Sequence, residues 1–198
     1  MPDAPCAAIV LAAGSSVRLG RAKQLIQLNR ESLLRRTARM AVEAGCAPVF
    51  VVLGYRAEEM QAQLQGLPAS PLVNENWPSG MGSSLRCGMA AVAQLHPQPS
   101  GVLALVCDQP ALSTVHLRTL LARHTAADFP ITASFYSGKP GVPAVFSSRL
   151  FPELLSAQAD RGARDLTRSH QGQVQTVPWP EGELDLDDAA DLERAGLQ

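Results

Sequence analysis

An excess of either charge is missing from this sequence. Seventeen lysines and arginines face eighteen aspartates and glutamates over 198 residues, a formal net charge of −1. That balance argues against duplex DNA as a partner, because a phosphate backbone calls for a basic excess. Long apolar runs are missing too: none approaches the ~18 residues of a membrane span. The stretch from Met1 to Ala13 is largely apolar but carries no basic leader, so it lacks the anatomy of a secretory signal. The expectation is a soluble, cytoplasmic protein that binds neither nucleic acid nor membrane. Cysteine is sparse. Cys6, Cys46, Cys87 and Cys107 form no Cys-x-x-Cys pair, which speaks against a zinc site or a disulfide frame and for reduced, mostly buried thiols. His96, His116, His124 and His170 are scattered without ligand spacing, and no Ser-His-Asp or Cys-His nucleophile set is visible. They receive no role. Lysine is nearly absent, with two against fifteen arginines.

Apolar residues make up 46% and charged residues 18% of the chain, an ordinary globular balance. The length is ample for a hydrophobic core and suits one domain over residues 1–198. The charges are segregated. Residues 1–39 hold seven basic side chains against two acidic, and residues 181–198 hold seven acidic against one basic.

Ala7 to Leu11 is apolar without alternation, as expected of a strand buried on both faces of a parallel sheet. Pro48 to Leu53 and Val102 to Val106 read the same way, and Leu72–Val73, Ile131–Tyr136, Ala144–Phe146 and Val174–Val177 read as further strands. Between them, helices are expected over Glu31–Ala44, Ala57–Leu64, a segment opening near Ser83, one capped by Ser113, one around Leu150–Leu155 and one capped by Asp187 or Asp188. Gly138 to Gly141 reads as a turn. Alternating strands and helices indicate an α/β fold with a mostly parallel sheet. Ligands in such sheets sit at the carboxyl ends of the strands, and two of those ends are chemically loaded: Gly14 onward, and Asp108.

After the first strand comes Leu11-Ala12-Ala13-Gly14-Ser15-Ser16-Val17-Arg18-Leu19-Gly20-Arg21-Ala22-Lys23. Small residues let backbone N–H groups close on an anion, and Arg18, Arg21 and Lys23 add compensating charge. The run is not a Walker A loop, because Lys23 is followed by Gln24. It is not Gly-x-Gly-x-x-Gly either, because its glycines stand at 14 and 20, which disfavours a dinucleotide-dependent oxidoreductase.

The pattern Leu-Ala-Ala-Gly-x-Ser-x-Arg-x-Gly-x-x-Lys resembles the signature of MobA-like nucleotidyltransferases, and its Ala-Ala form resembles the molybdenum cofactor cytidylyltransferase branch. Further segments are similar to the family in chain order. Asn74 to Leu85 resembles the segment that lines the nucleotide base. Its Gly80 would let backbone approach a planar ring, and Ser83 and Ser84 would offer helix-start donors; Trp77 reads as packing. Asp108-Gln109-Pro110 resembles the metal-binding Asp-Gln-Pro motif. Gly138 to Phe146 is similar to the segment closing the acceptor side, where Lys139 would meet an anionic acceptor. Asp160-Arg161-Gly162-Ala163-Arg164 resembles a segment associated with the pterin-side substrate, with Arg164 as a phosphate partner and Ala159 where the family has glycine. Asp185 to Leu192 looks like the family's Asp-x-Asp tail without its Thr-Pro.

The resemblance implies a Rossmann-like three-layer α/β fold of the nucleotide-diphospho-sugar transferase type. It implies CTP bound along Leu11, Ala12, Ala13, Gly14, Ser15, Ser16, Arg18 and Lys23, with Asn74, Gly80, Ser83 and Ser84 around the base. Arg18, Lys23 and Asp108 are the expected catalytic residues. Mg²⁺ is expected on Asp108 with Asp187, or with Asp185, since residues two apart on an extended strand face one side. The implied acceptor is the terminal phosphate of molybdopterin, and a molybdenum hydroxylase or its maturation factor is the implied partner. A guanylyltransferase, a sugar- or alcohol-phosphate nucleotidyltransferase, or a non-catalytic cofactor chaperone stands as the alternative.

Overall fold

Residues 5–158, 162–170 and 172–197 are described by the computed structural model. Strand β1 (Ala7–Leu11) is buried at every position. A small antiparallel hairpin follows, β2 (Gln27–Leu28) with β3 (Glu31–Ser32). Then come α1 (Leu33–Glu43), β4 (Val49–Leu53), α2 (Ala57–Ala62), β5 (Ala69–Val73), α3 (Met81–Ala93), β6 (Gly101–Val106) and α4 (Thr114–Ala126). The chain continues through β7 (Ile131–Tyr136), β8 (Lys139–Ser147), α5 (Phe151–Leu155), α6 (Ala163–Ser169), β9 (Val174–Pro178) and α7 (Ala189–Arg194). The main sheet runs β5-β4-β1-β6-β8-β7-β9. Its strands pair in parallel except β8, which is antiparallel to both neighbours.

The unbroken apolar strands follow from cover on both sides. Ala8 and Val10 of β1 join the core formed with Leu34 and Ala38 of α1, Met60 of α2 and Leu117 of α4. Ala7, Ile9 and Leu11 join the opposite core with Leu85 and Met89 of α3, Leu154 of α5 and Ala163 of α6. Helix α3 lies so close to β1 that a Cβ at Gly88 would stand 2.7 Å from Ile9 Cγ2. Gly88→Val therefore overpacks the core and is expected to cost about 1–3 kcal/mol, read as a lower urea midpoint with an unchanged m-value.

Several boundaries differ from expectation. Helix α1 starts at Leu33 because Ser32 caps it, its Oγ accepting from Arg35 N at 3.3 Å. Helix α2 stops at Ala62, and α3 opens at Met81 rather than Ser83. The turn expected at Gly138–Gly141 is a correction. The chain reverses at Ser137 and Gly138, whose φ values are 49° and 72°, and β8 is already paired from Lys139. Pro140 and Gly141, inside that expected turn, and Pro143, before the expected strand, all belong to β8. A register shift between Ala133 and Ser134 lets β8 carry them through the sheet.

The acidic tail is fastened to the basic front by apolar contact. Leu186 and Leu192 bury with Ile26 and Leu33, and Leu19 and Leu28 pack against them. Leu186 N also donates to Asp108 O at 2.9 Å. Among the described residues no helix is long and apolar enough to cross a membrane.

Candidate active site

Leu11 and Val106 are register partners on parallel strands, so the glycine loop and Asp108 emerge from the same edge of the sheet. The loop is folded by a residue that sequence reasoning passed over. Gln24, 1% exposed, donates through Nε2 to the carbonyls of Ala12 at 2.9 Å and Gly14 at 2.7 Å. Ser16 adopts left-handed backbone, and its Oγ accepts from Lys23 N at 3.3 Å. The amides of Gly14, Ser15, Ser16 and Val17 donate to no group among the described residues, and clustered donors of that kind take an anion.

Four charged side chains meet beside this loop. Lys23 Nζ donates to Asp108 Oδ2 at 2.5 Å and to Asp187 Oδ1 at 3.2 Å, and Arg18 donates to Asp187 Oδ2 at 2.7 Å. Burial by itself would lower the pKa of Lys23. The charge and hydrogen bond of Asp108, with Cys107 and Asp187 behind them, hold it well above the ordinary lysine value. Burial opposes ionisation of Asp187, but Lys23 and then Arg18 outweigh it and hold that carboxyl below the usual range. Cys107, sealed beside the quartet, is pushed up to about 12 by burial and then by Asp108, so it stays a thiol. The tail's own cap leaves Asp187 available: Asp188 Oδ1 accepts from Asp191 N at 3.0 Å, while Asp187 contributes only its backbone N–H to Asp191 Oδ2, at 2.8 Å.

A cavity of about 360 Å³ opens over Asp108, with Arg18, Lys23, Asp185, Asp187 and Val142 in its walls. Met81 and Leu11 separate it from a second of about 270 Å³, between Gly14–Ser15 and Trp77–Gly80. Ala13 and Ser84 also line the second cavity, whereas Ala12 and Ser16 line neither. Asn74 and Ser83 are buried and shape its floor. Asn74 Nδ2 donates to Ser83 Oγ at 2.9 Å and Ser84 Oγ at 3.1 Å, and Ser83 Oγ donates to Gly80 O at 2.8 Å. Trp77 packs as expected, so close to Gly54 that a Cβ there would stand 2.5 Å from the indole, and it is a cavity wall as well. Arg21 and Lys139 are exposed and line neither cavity. Gly162 and Ala163 reach the larger cavity, as does Asp165, which had drawn no attention. Asp160, Arg161 and the Arg164 side chain lie outside the described residues.

The residues fit a divalent cation that phosphates help to hold. Asp108 Oδ1 is buried with no hydrogen-bond partner among the described residues, an acceptor suited to a cation. Among those residues no group of three or more His, Cys, Asp or Glu side chains is placed to hold a metal. Asp108 and Asp187 therefore match the one or two carboxylates with which Mg²⁺ is usually bound alongside phosphate oxygens.

Behind the wall at Val142 lies a buried polar network that the sequence concealed. Tyr136 Oη donates to Val142 O at 2.9 Å, and Gln109 Nε2 donates to the same carbonyl at 3.2 Å. Ser134 Oγ donates to Pro143 O at 2.8 Å and lies 2.8 Å from His116 Nε2. The His116 ring stacks on Trp179 at a centroid distance of 4.7 Å. Burial drives His116 down to about 4, with Glu181 opposing weakly, so the folded state keeps it neutral. Below its unfolded pKa of about 6.5 the unfolded chain binds a proton that the folded chain refuses, so stability falls with pH from there to about 4, by roughly 2–4 kcal/mol. His116→Gln should flatten that limb in denaturation curves taken between these pH values.

The sequence pattern of the MobA-like NTP transferase domain matches residues 8–174. The chain is 34% identical over 199 residues to nicotine blue oxidoreductase of Paenarthrobacter nicotinovorans, covering 96% of this chain and 90% of that protein. It is 29% identical over 189 residues to the purine catabolism protein PucB of Bacillus subtilis, covering 91% and 89%. The crystal structure of Rv0371c from Mycobacterium tuberculosis superimposes with a TM-score of 0.83 at 30% identity, covering 98% of each chain. A structure of Rv0371c in complex with manganese gives 0.78 at 28% identity, covering 97% of each.

Proposed function

The chain belongs to the MobA-like NTP transferase family, and from that premise we propose that it moves CMP from CTP to the terminal phosphate of a molybdopterin-type cofactor, releasing pyrophosphate. The whole chain acts as one nucleotidyltransferase domain in the cytoplasm and passes its product to a molybdenum hydroxylase or its maturation factor. The observation that carries this reading is the Arg18–Asp187–Lys23–Asp108 quartet beside a glycine loop with open amides. Cations set against carboxylates suit a metal–triphosphate, which is why this reading is preferred although one relative is named an oxidoreductase.

In the proposed reaction an acceptor phosphate oxygen attacks the α-phosphorus in line, and the bond to the leaving pyrophosphate breaks. A phosphate is already ionised near pH 7, so no general base is needed. The loop from Leu11 to Ser16 cradles the triphosphate, and the cavity at Trp77 and Gly80, built on Asn74, Ser83 and Ser84, takes the base. Arg18 and Lys23 stabilise charge growing on pyrophosphate. Asp108 with Asp187, or with Asp185 in its place, would hold Mg²⁺. Bound there, the ion supplies charge neutralisation and a template for both substrates. Lys139 and Arg164 serve the acceptor. Catalysis is positioning plus electrostatics.

The test offers the protein each of the four NTPs with Mg²⁺ and molybdenum cofactor and measures pyrophosphate. Release with CTP that depends on cofactor is expected. Release with GTP instead means a guanylyltransferase, and none with any NTP overturns the molybdopterin reading and leaves a transferase for a sugar or alcohol phosphate, or a cofactor chaperone.

A further inference from the structure

Lys23 stands between Asp108 and Asp187, the two carboxylates that would hold a divalent cation. Its ammonium touches one oxygen of each carboxylate, at 2.5 and 3.2 Å, from a side chain only 18% exposed. Arg18 holds the other oxygen of Asp187 at 2.7 Å. The remaining oxygen, Asp108 Oδ1, is buried and has no hydrogen-bond partner among the described residues. Three of the four carboxylate oxygens are thus engaged by the chain's own cations, and the fourth is shut away from water.

A free ion has little to offer in exchange. Pushing Lys23 aside leaves a desolvated ammonium without a counter-charge, and removing one partner of a buried pair is costly. Two carboxylates are also a thin ligand set, and among the described residues no third ligating side chain joins them. A triphosphate changes both conditions, because it brings further oxygen ligands and gives the ammonium new anionic partners.

We propose that Lys23 is a placeholder cation: it gives up Asp108 and Asp187 only to a divalent ion that arrives chelated by a nucleoside triphosphate, so the ligand this site takes is the chelate and not the free ion. The proposal rests on the nucleotidyl reading above for the triphosphate, but not on the base or the acceptor. Affinity for the free ion is then reduced by the fraction of time Lys23 spends off the carboxylates.

The test is Mn²⁺ binding followed by electron paramagnetic resonance, without acceptor or turnover. Wild type, Lys23→Met, Lys23→Gln and Arg18→Met are titrated with Mn²⁺ alone and with Mn²⁺ plus α,β-methylene CTP or GTP. Two uncharged replacements of different shape guard against misfolding of either. Free Mn²⁺ should bind at least about tenfold tighter to both Lys23 variants than to wild type. Arg18→Met, which removes a more exposed charge, should change it by no more than about threefold. Equal free-ion affinity in wild type and both Lys23 variants overturns the proposal. So does equal tightening in Arg18→Met, which would assign the effect to overall charge. If CTP turnover fails while the Lys23 variants tighten, the cytidylyl reading falls and the placeholder stands. If CMP transfer proceeds while free-ion affinity is unmoved, the placeholder falls alone.

Discussion

Asp108→Asn is expected to lower cofactor-dependent pyrophosphate release by about 10³-fold or more, since it removes the carboxylate at the centre of the charged quartet. Asparagine keeps the shape and the buried contacts, so the loss tests charge rather than packing. Two consequences follow from the geometry. Lys23 loses the carboxylate charge it meets at 2.5 Å and keeps Asp187 as its remaining counter-charge. Asp108 O still accepts from Leu186 N, because that bond belongs to the backbone, and the tail stays in place. Nucleotide binding should therefore weaken much less than turnover, with KM for CTP moving only a fewfold while kcat collapses. Isothermal titration with a non-hydrolysable CTP analogue, set beside pyrophosphate release, separates the two. Turnover within tenfold of wild type would remove Asp108 from the metal role.

Lys23→Ala is expected to reduce turnover by about 10²-fold or more, as loss of a preorganised charged donor does when it acts mainly in the transition state. It also releases Asp108 and Asp187 from their ammonium. The variant should combine slower chemistry with tighter free-ion binding, two effects of opposite sense at one residue. A lysine that merely belonged to a solvated basic loop would show neither. Lys23→Arg is a useful companion. A guanidinium preserves the charge but not the compact ammonium that fits between two carboxylates, so rescue should be incomplete. Steady-state rates for the three forms at saturating CTP and Mg²⁺ decide the point.

What could be read from sequence was local. Ala7–Leu11 ran apolar without alternation toward glycine, which reads as a strand covered on both faces, and that placed the start of the loop. Asp108 was legible because it follows a strand of the same kind. Asp187 was reached through the resemblance of Asp185 to Leu192 to the family's Asp-x-Asp tail, with Asp185 as the alternative, and both line the larger cavity. The cap that competes for these carboxylates falls to Asp188 instead. Residues whose role comes from partners far along the chain stayed hidden. Gln24 braces the loop through carbonyls 12 and 10 residues away, and Gln109 reaches a carbonyl 33 residues on. A glutamine in isolation carries no sign of such a task. His116 looked idle for the same reason, since its partners Ser134 and Trp179 come from other elements. The start of β8 was misread because proline and glycine announce turns, and nothing local reveals that a shifted register can hold them inside a sheet.

The central claim is that this cleft transfers the nucleotidyl group itself. CTP labelled at the α-phosphate, incubated with the protein, Mg²⁺ and molybdenum cofactor, tests it most directly. Label should pass into the cofactor in wild type and fail to pass in Asp108→Asn, while label placed at the γ-phosphate should leave as pyrophosphate in wild type. Cofactor that stays unlabelled by α-labelled CTP, or label transfer undiminished in Asp108→Asn, would contradict it.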